Sequence, residues 1–212
     1  MTYTGKDSRS ARRYKAIRHW VQARLGEVRH ERRVAAVALS LVRTTGPLHF
    51  MSGWQRRLLK MSAMVHDVGR AKDAKRHPVI GARMLLRNES LPLSPFERRA
   101  LAYLTRYHRG AVPPPGHDDI LKKEDPHEEV LQVLAFLRLA DALDSRSLPA
   151  PRLGIHLRGR RLVIECAVLD DSAKARRVFG RRKKLRLLEE VLDCRVDVML
   201  SVHSPARFRA VA

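Results

Sequence analysis

The segment Met64-Val65-His66-Asp67-Val68-Gly69-Arg70 closes an apolar helical run with an imidazole beside a carboxylate. At a helix end the backbone turns, so both side chains can face one cavity and reach one metal ion. The dipeptide alone says little, because an aspartate in that place can simply cap the following turn. Its weight comes from residues far away in the chain. His30 stands before it, His77 and His108 after it, and Asp141 later still. Read in order they give H…HD…H…H…D, a nitrogen and oxygen donor set sufficient for one or two transition-metal ions.

Each of these residues sits where a helical pattern points inward. His30 shares a stripe with Val34, Val37 and Leu41, spaced for one helix face. His108 continues Leu101 and Leu104, and His77 opens the helix that carries Ile80 and Met84. Asp141 extends the stripe of Val130, Leu134 and Leu137. A carboxylate on an apolar face is costly unless a cation or hydrogen-bond donors satisfy it. His19, His49, His117, His127, His156 and His203 lack such placement and read as surface or loop residues.

Outward from this framework, the periodicity predicts helices over 8–25, 27–43, 54–66 and 78–88. Gly26 ends or bends the first, and Thr44-Thr45-Gly46-Pro47 stops the second. Ser94-Pro95-Phe96-Glu97 is a capping box with proline at the first helical position, opening a helix to about His108. Val112-Pro113-Pro114-Pro115-Gly116 breaks structure, and Asp125-Pro126-His127-Glu128 opens a helix to about Ser145. After Leu148-Pro149-Ala150-Pro151 the pattern changes. Residues 153–157 and 161–168 read as strands joined at Arg158-Gly159-Arg160, followed by a basic helix from about Ser172 to Leu192 and a strand over 195–202. The fold expected is a mainly α helical bundle over residues 1–150, with a β-β-α-β tail over 151–212 packed on it.

Composition agrees. A chain of 212 residues with 44% hydrophobic content can bury a real core, and only 5% aromatic content favours aliphatic helix packing. No apolar run is long enough for a membrane span, and the polar start MTYTGKDSRS argues against a signal peptide. The two cysteines, Cys166 and Cys194, form no metal-binding or disulfide pattern, so a cytoplasmic protein is expected. Lys and Arg number 43 against 22 Asp and Glu, a net charge of +21 that attracts polyanions: polyphosphate, nucleotides, nucleic acid. A homodimer is compatible with all of this.

The order His30, His66-Asp67, Asp141 resembles the HD superfamily, helical proteins many of which are metal-dependent phosphohydrolases. His77-Pro78-Val79-Ile80-Gly81-Ala82 with Tyr107-His108 is similar to its binuclear branch, in which both later histidines bind a second metal. Closer still is the C-terminal HD-type domain of the exopolyphosphatase and guanosine pentaphosphate phosphatase family. That likeness runs through His30-Glu31-Arg32-Arg33-Val34-Ala35, Met84-Leu85-Leu86-Arg87-Asn88, Tyr107-His108-Arg109-Gly110 and Leu137-Arg138-Leu139-Ala140-Asp141-Ala142-Leu143-Asp144. The β-β-α-β tail fits it too. In that family the phosphatase chemistry belongs to N-terminal actin-like lobes, which these residues do not include. The signature that follows the last histidine in cyclic-dinucleotide phosphodiesterases is replaced by Arg109-Gly110-Ala111-Val112-Pro113, which counts against cyclic di-GMP.

The resemblance implies metal ligands at His30, His66, Asp67, His77, His108 and Asp141, with Asp67 bridging two ions. His30, His66 and Asp141 would hold one ion, and His77 and His108 the other. Mn, Fe, Co, Ni or Zn suits such a mixed set better than Mg. A metal lowers the pKa of bound water from about 15.7 to about 7, which makes hydroxide available at neutral pH. Asp67 is then the catalytic carboxylate. Arg70 and Arg109, with Lys72 and Arg76 less favoured, would offset charge on a phosphorylated small molecule, nucleotide or polyphosphate. The alternative is a binding module without catalysis, gripping polyphosphate or RNA through Arg176, Arg177, Arg181, Arg182, Lys183 and Lys184. No RNA-reading motif accompanies that basic run.

Overall fold

The computed structural model describes residues 4–114, 116–169, 173–179 and 182–202. Six long helices come first: α1 (Thr4–Leu25), α2 (Arg29–Thr44), α3 (Gly53–Val65), α4 (His77–Arg87), α5 (Pro95–Tyr107) and α6 (His127–Ala142). Strands β1 (Arg152–Arg158) and β2 (Arg161–Val168), short helices α7 (Ala173–Phe179) and α8 (Arg186–Leu192), and strand β3 (Arg195–Val202) complete the chain. The protein is mainly α-helical with a small C-terminal sheet.

Local chemistry sets the helix ends. Gly26 turns at φ 77°, a conformation that costs glycine little, and its N–H caps α1 on Gln22. Ser52 with Gln55 and Ser94 with Glu97 form reciprocal capping boxes at the starts of α3 and α5. Helix α6 is buried on nearly every side, through Val130, Val133, Leu134, Ala135, Phe136, Leu137, Leu139 and Ala140. A helix that is apolar all round belongs at the centre of a core, and α2, α3, α5 and α8 all pack against this one.

In the tail, β1 and β2 form an antiparallel hairpin and β3 lies parallel to β2 on its other side. Alternate residues of β2 face inward: Leu162, Ile164, Cys166 and Val168 are buried. Leu162 and Ile164 join Leu185, Leu188, Leu192 and Val196 in the same apolar cluster as the six helices.

Three expectations need correction. Helix α6 stops at Ala142 rather than near Ser145, leaving Arg146 outside it. Asp125 does not cap it, since Pro126 occupies that place. Its carboxylate instead takes a forked pair from Arg99 at 2.9 and 2.7 Å and the Lys122 N–H at 2.8 Å. The basic helix is broken into α7, a 3-10 turn over Arg182–Lys184, and α8. That break lets Leu185 and Leu188 enter the core while Lys184 turns the other way. Ser172 and Arg181 of the expected helix, and His203, lie outside the described residues.

The chain after Asp67 runs through a 3-10 turn (Val68–Ala71) into α4 at close range. A Cβ on Gly69 would stand 2.2 Å from the His77 carbonyl oxygen and 2.6 Å from the Gly81 nitrogen, both backbone atoms that cannot yield. Gly69→Ala should therefore push α4 outward and destabilise the fold by about 3 kcal/mol, read as a lowered Tm. Gly46→Ala is the control, because nothing lies within 4 Å of its Cβ, and its Tm should stay near that of the wild type.

Candidate metal centre

Five helices bring the predicted residues to one buried point. His30 comes from the first turn of α2, His66 and Asp67 from the end of α3, and His77 from the start of α4. His108 follows the last residue of α5, and Asp141 lies in the last turn of α6. None of the six is more than 5% exposed. Their donor atoms fall into two groups, each within 4.8 Å: His30, His66 and Asp141, and Asp67, His77 and His108.

The rings are oriented by hydrogen bonds on the far nitrogen. His66 Nδ1 lies 2.9 Å from the Ala63 carbonyl oxygen, His77 Nδ1 2.8 Å from that of Ala74, and His108 Nδ1 2.7 Å from that of Thr105. A carbonyl can only accept, so each Nδ1 carries a proton, and in the neutral ring the lone pair is then on Nε2. His30 Nδ1 is held 2.6 Å from Asp144 Oδ2, which Arg33 holds through Oδ1 at 2.9 Å. The Nε2 atoms then converge, His30 on His66 at 3.3 Å and His77 on His108 at 3.2 Å. Such pairs of lone pairs need a proton or a metal cation between them, and an outer acceptor on the opposite nitrogen is the usual support of a metal-ligating histidine.

Each carboxylate divides its oxygens between histidines and cations. Asp67 Oδ1 is 3.0 Å from His77 Nε2 and 3.7 Å from His108 Nε2, yet it accepts no hydrogen bond among the described residues. Its Oδ2 takes Arg146 Nε at 2.9 Å and faces Arg70 Nε at 3.7 Å. Asp141 Oδ1 faces His30 and His66 Nε2 at 3.5 and 3.6 Å, whereas Oδ2 takes Lys184 Nζ at 2.9 Å and faces Arg109 at 3.9 Å. An orphaned buried oxygen among lone-pair nitrogens is a donor set that fits a cation. These buried groups could hold a metal ion.

Protonation follows the same geometry. Burial opposes charge on both aspartates, but the surrounding histidines, and Lys184 at Asp141, hold both carboxyls well below the ordinary carboxylate range. Burial beside His66 pushes His108 down to about 3, leaving it neutral. At His30 burial is outweighed by Asp141 and Asp144, and its pKa rises from 6.5 to about 9. A proton on His30 and a metal ion at its Nε2 would exclude each other.

A cavity of about 250 Å³ opens beside the cluster, lined by His30, Asp67, Asp141 and Asp144 and by Arg70, Arg109, Arg146 and Lys184. Arg70 and Arg109 are among its lining residues, with side chains 29% and 43% exposed. Lys72 and Arg76 are not: Lys72 lines a different groove and Arg76 is exposed. Four residues beside the ligands escaped the sequence reading of the site. Asp144 and Glu31 stood inside quoted motifs without a role, although Asp144 lies one helical turn beyond Asp141. Arg146 carried no signal, and Lys184 was read only as part of the basic run, because tertiary packing alone brings them here. Arg146 also pairs with the buried Glu31.

Fold and site together define a mainly helical protein built around a buried histidine–aspartate cluster of metal-binding composition. The family model Ppx/GppA phosphatase, domain III, matches residues 16–158, and the chain belongs to that family. No curated protein matches it. No helix among the described residues is long and apolar enough to cross a membrane.

A metal held by His30 would have to displace the proton of that ring. Its apparent affinity should rise by up to about tenfold per pH unit below pH 9 and then level off. The raised pKa has the opposite sign for the metal-free fold: it stabilises fully below about 6.5, and that contribution is lost as pH rises through about 9. Calorimetric titration of Mn(II) at pH 7.5 in buffers of different ionisation enthalpy should show release of about one proton. Uptake with no proton release would remove His30 from the ligand set.

Proposed function

We propose that this chain is a metal-dependent phosphohydrolase of the HD superfamily, acting on a phosphorylated small molecule, nucleotide or polyphosphate. The observation that carries this reading is the convergence of Nε2 lone pairs and carboxylates on one buried point beside a ring of cations. His30, His66 and Asp141 would hold one ion, and Asp67, His77 and His108 a second. Asp67 would serve both, since Oδ2 lies 3.8 Å from His30 Nε2 while Oδ1 faces His77 and His108. When bound, a divalent cation supplies a Lewis acid and an acidified water. Mn, Fe, Co, Ni or Zn suits these donors better than Mg.

The chain's own residues supply the rest. The Nδ1 acceptors keep the rings from turning, and burial keeps competing water out. Arg70 and Arg109 offset the charge of a phosphoryl group at the cavity mouth. No Phe, Tyr or Trp lines that cavity among the described residues, which favours a ligand gripped by its phosphate over one read by its base. The helical body expected over 1–150 would hold the ions, and Lys184, from the tail expected over 151–212, lines the cavity. Both cysteines are free, which supports the expectation of a reducing, cytoplasmic setting.

A second reading, polyanion binding without catalysis, is favoured by a separate groove of about 530 Å³ beside α1 and α4. It is lined by Trp20, Arg24, Lys72, Arg83 and Arg87. The basic run of 176–184 supports it less: Arg182 is paired with Glu189, and Lys184 with Asp141.

Replacing Asp67 by Ala tests both readings. Losing an outer support of a metal ligand already costs 10–100-fold, so loss of the shared carboxylate should lower phosphoester hydrolysis by about a hundredfold or more. Salt-sensitive polyphosphate binding should survive the change. Metal-loaded wild type that turns over no phosphoester, yet binds polyphosphate in a salt-sensitive way, would leave the second reading standing.

A further inference from the structure

We propose that Lys184 is an exchangeable counter-ion that makes metal and phosphate bind cooperatively at this site. The inference rests on the metal reading above and adds to it a residue beyond the matched family region, which ends at 158. Lys184 stands at the end of the Arg182–Lys184 turn, the break that divides the expected basic helix. Its ammonium reaches Asp141 Oδ2 at 2.9 Å, and its side chain is only 20% exposed. Asp141 is its one ion-pair partner among the described residues.

Asp141 has two oxygens and two calls on its charge. Oδ1 faces the histidine nitrogens, and Oδ2 faces Lys184 and Arg109. Arg146 is placed in the same way on Asp67 Oδ2. In the metal-free protein these cations neutralise buried carboxylates that would otherwise be costly. A divalent cation on Asp141 takes over that task, and the ammonium is left in a cavity already lined by Arg70, Arg109 and Arg146. Positive charge then exceeds negative, and the group that restores balance is an anion. A phosphate at the mouth can accept from Lys184 without the chain moving far, because a lysine stem has four rotatable carbons and three donors.

The consequence is reciprocal. Lys184 opposes the metal by competing for Asp141 and by repulsion, and it favours the phosphate. By linkage, each ligand then tightens the other. Removing the charge should shift the two affinities in opposite directions. A residue that merely supports the fold would weaken both, and a solvated surface lysine would change neither.

The experiment is calorimetric titration of the full chain with Mn(II), with and without inorganic phosphate, followed by phosphate titration of the Mn-loaded protein. Lys184→Met should bind Mn(II) about tenfold tighter without phosphate and phosphate about tenfold more weakly. The tightening of Mn(II) by phosphate seen in the wild type should shrink. Lys184→Arg keeps the charge and should keep the coupling, while Lys15→Met, at an exposed position of α1, should leave both affinities unchanged. If Lys184→Met fails to fold, Lys184→Gln retains a donor to Asp141 without the charge and carries the same expectation. Shifts of the same sign, or none, in a wild type that does bind Mn(II) overturn this inference alone. A wild type that takes up no divalent cation overturns the metal reading and the coupling with it.

Discussion

Four imidazole rings are fixed by what their Nδ1 atoms donate to, and the rest of the site depends on that constraint. The last carbonyls of a helix have no partner within it. Ala63 and Thr105 provide such carbonyls in the last turns of α3 and α5, and the histidines that follow each helix donate back to them. Helix termination and ring orientation are thus one local event at these two, while at His77, the first residue of α4, the Ala74 carbonyl of the preceding turn orients the ring. His30, in the first turn of α2, instead has its Nδ1 on the Asp144 carboxylate. With every Nδ1 committed, the Nε2 lone pairs have one common direction.

Bringing those lone pairs together with two carboxylates carries a cost that the surrounding fold offsets. Asp67 and Asp141 are buried to 0% and 3% exposure, and a buried carboxylate must be paired. The pairing comes from both ends of the architecture. Arg146 follows α6, and Lys184 arrives from the tail. The tail can deliver it because Leu162, Ile164, Leu185, Leu188 and Val196 share one apolar core with the helices. Packing of the sheet and electrostatics of the centre therefore depend on each other, although they lie far apart in the chain.

Close backbone approach has the same role on the opposite side. Gly69 lets the turn after Asp67 lie against the His77 carbonyl and Gly81, and the Cβ that Gly81 lacks would stand 2.8 Å from Thr105 Cγ2. These two glycines set how near α4 comes to α3 and α5, and hence how near His77 comes to Asp67 and His108.

Much of this was legible in the sequence. Local signals suffice where a helix face or a cap decides the outcome: Ser94 and Glu97 marked the start of α5, the stripe Val130, Leu134, Leu137 marked the buried face of α6, and β3 fell on 195–202. Asp141 stood out because a carboxylate on an apolar stripe demands a partner. Local signals failed where the deciding partner is remote. Asp125 looks like a cap, but Arg99 claims its carboxylate. Residues 172–192 look like one helix, yet the core draws Leu185 and Leu188 inward while Asp141 draws Lys184 to the centre. Periodicity reports how a segment meets an average interior and says nothing of which charge waits there. The sequence by itself determined the six long helices, the three strands and the identities of the inward-facing histidines and aspartates. Tertiary structure alone decided that Arg146 bonds Asp67 and Lys184 bonds Asp141, because that choice depends on distances of a few ångströms between residues more than forty positions apart.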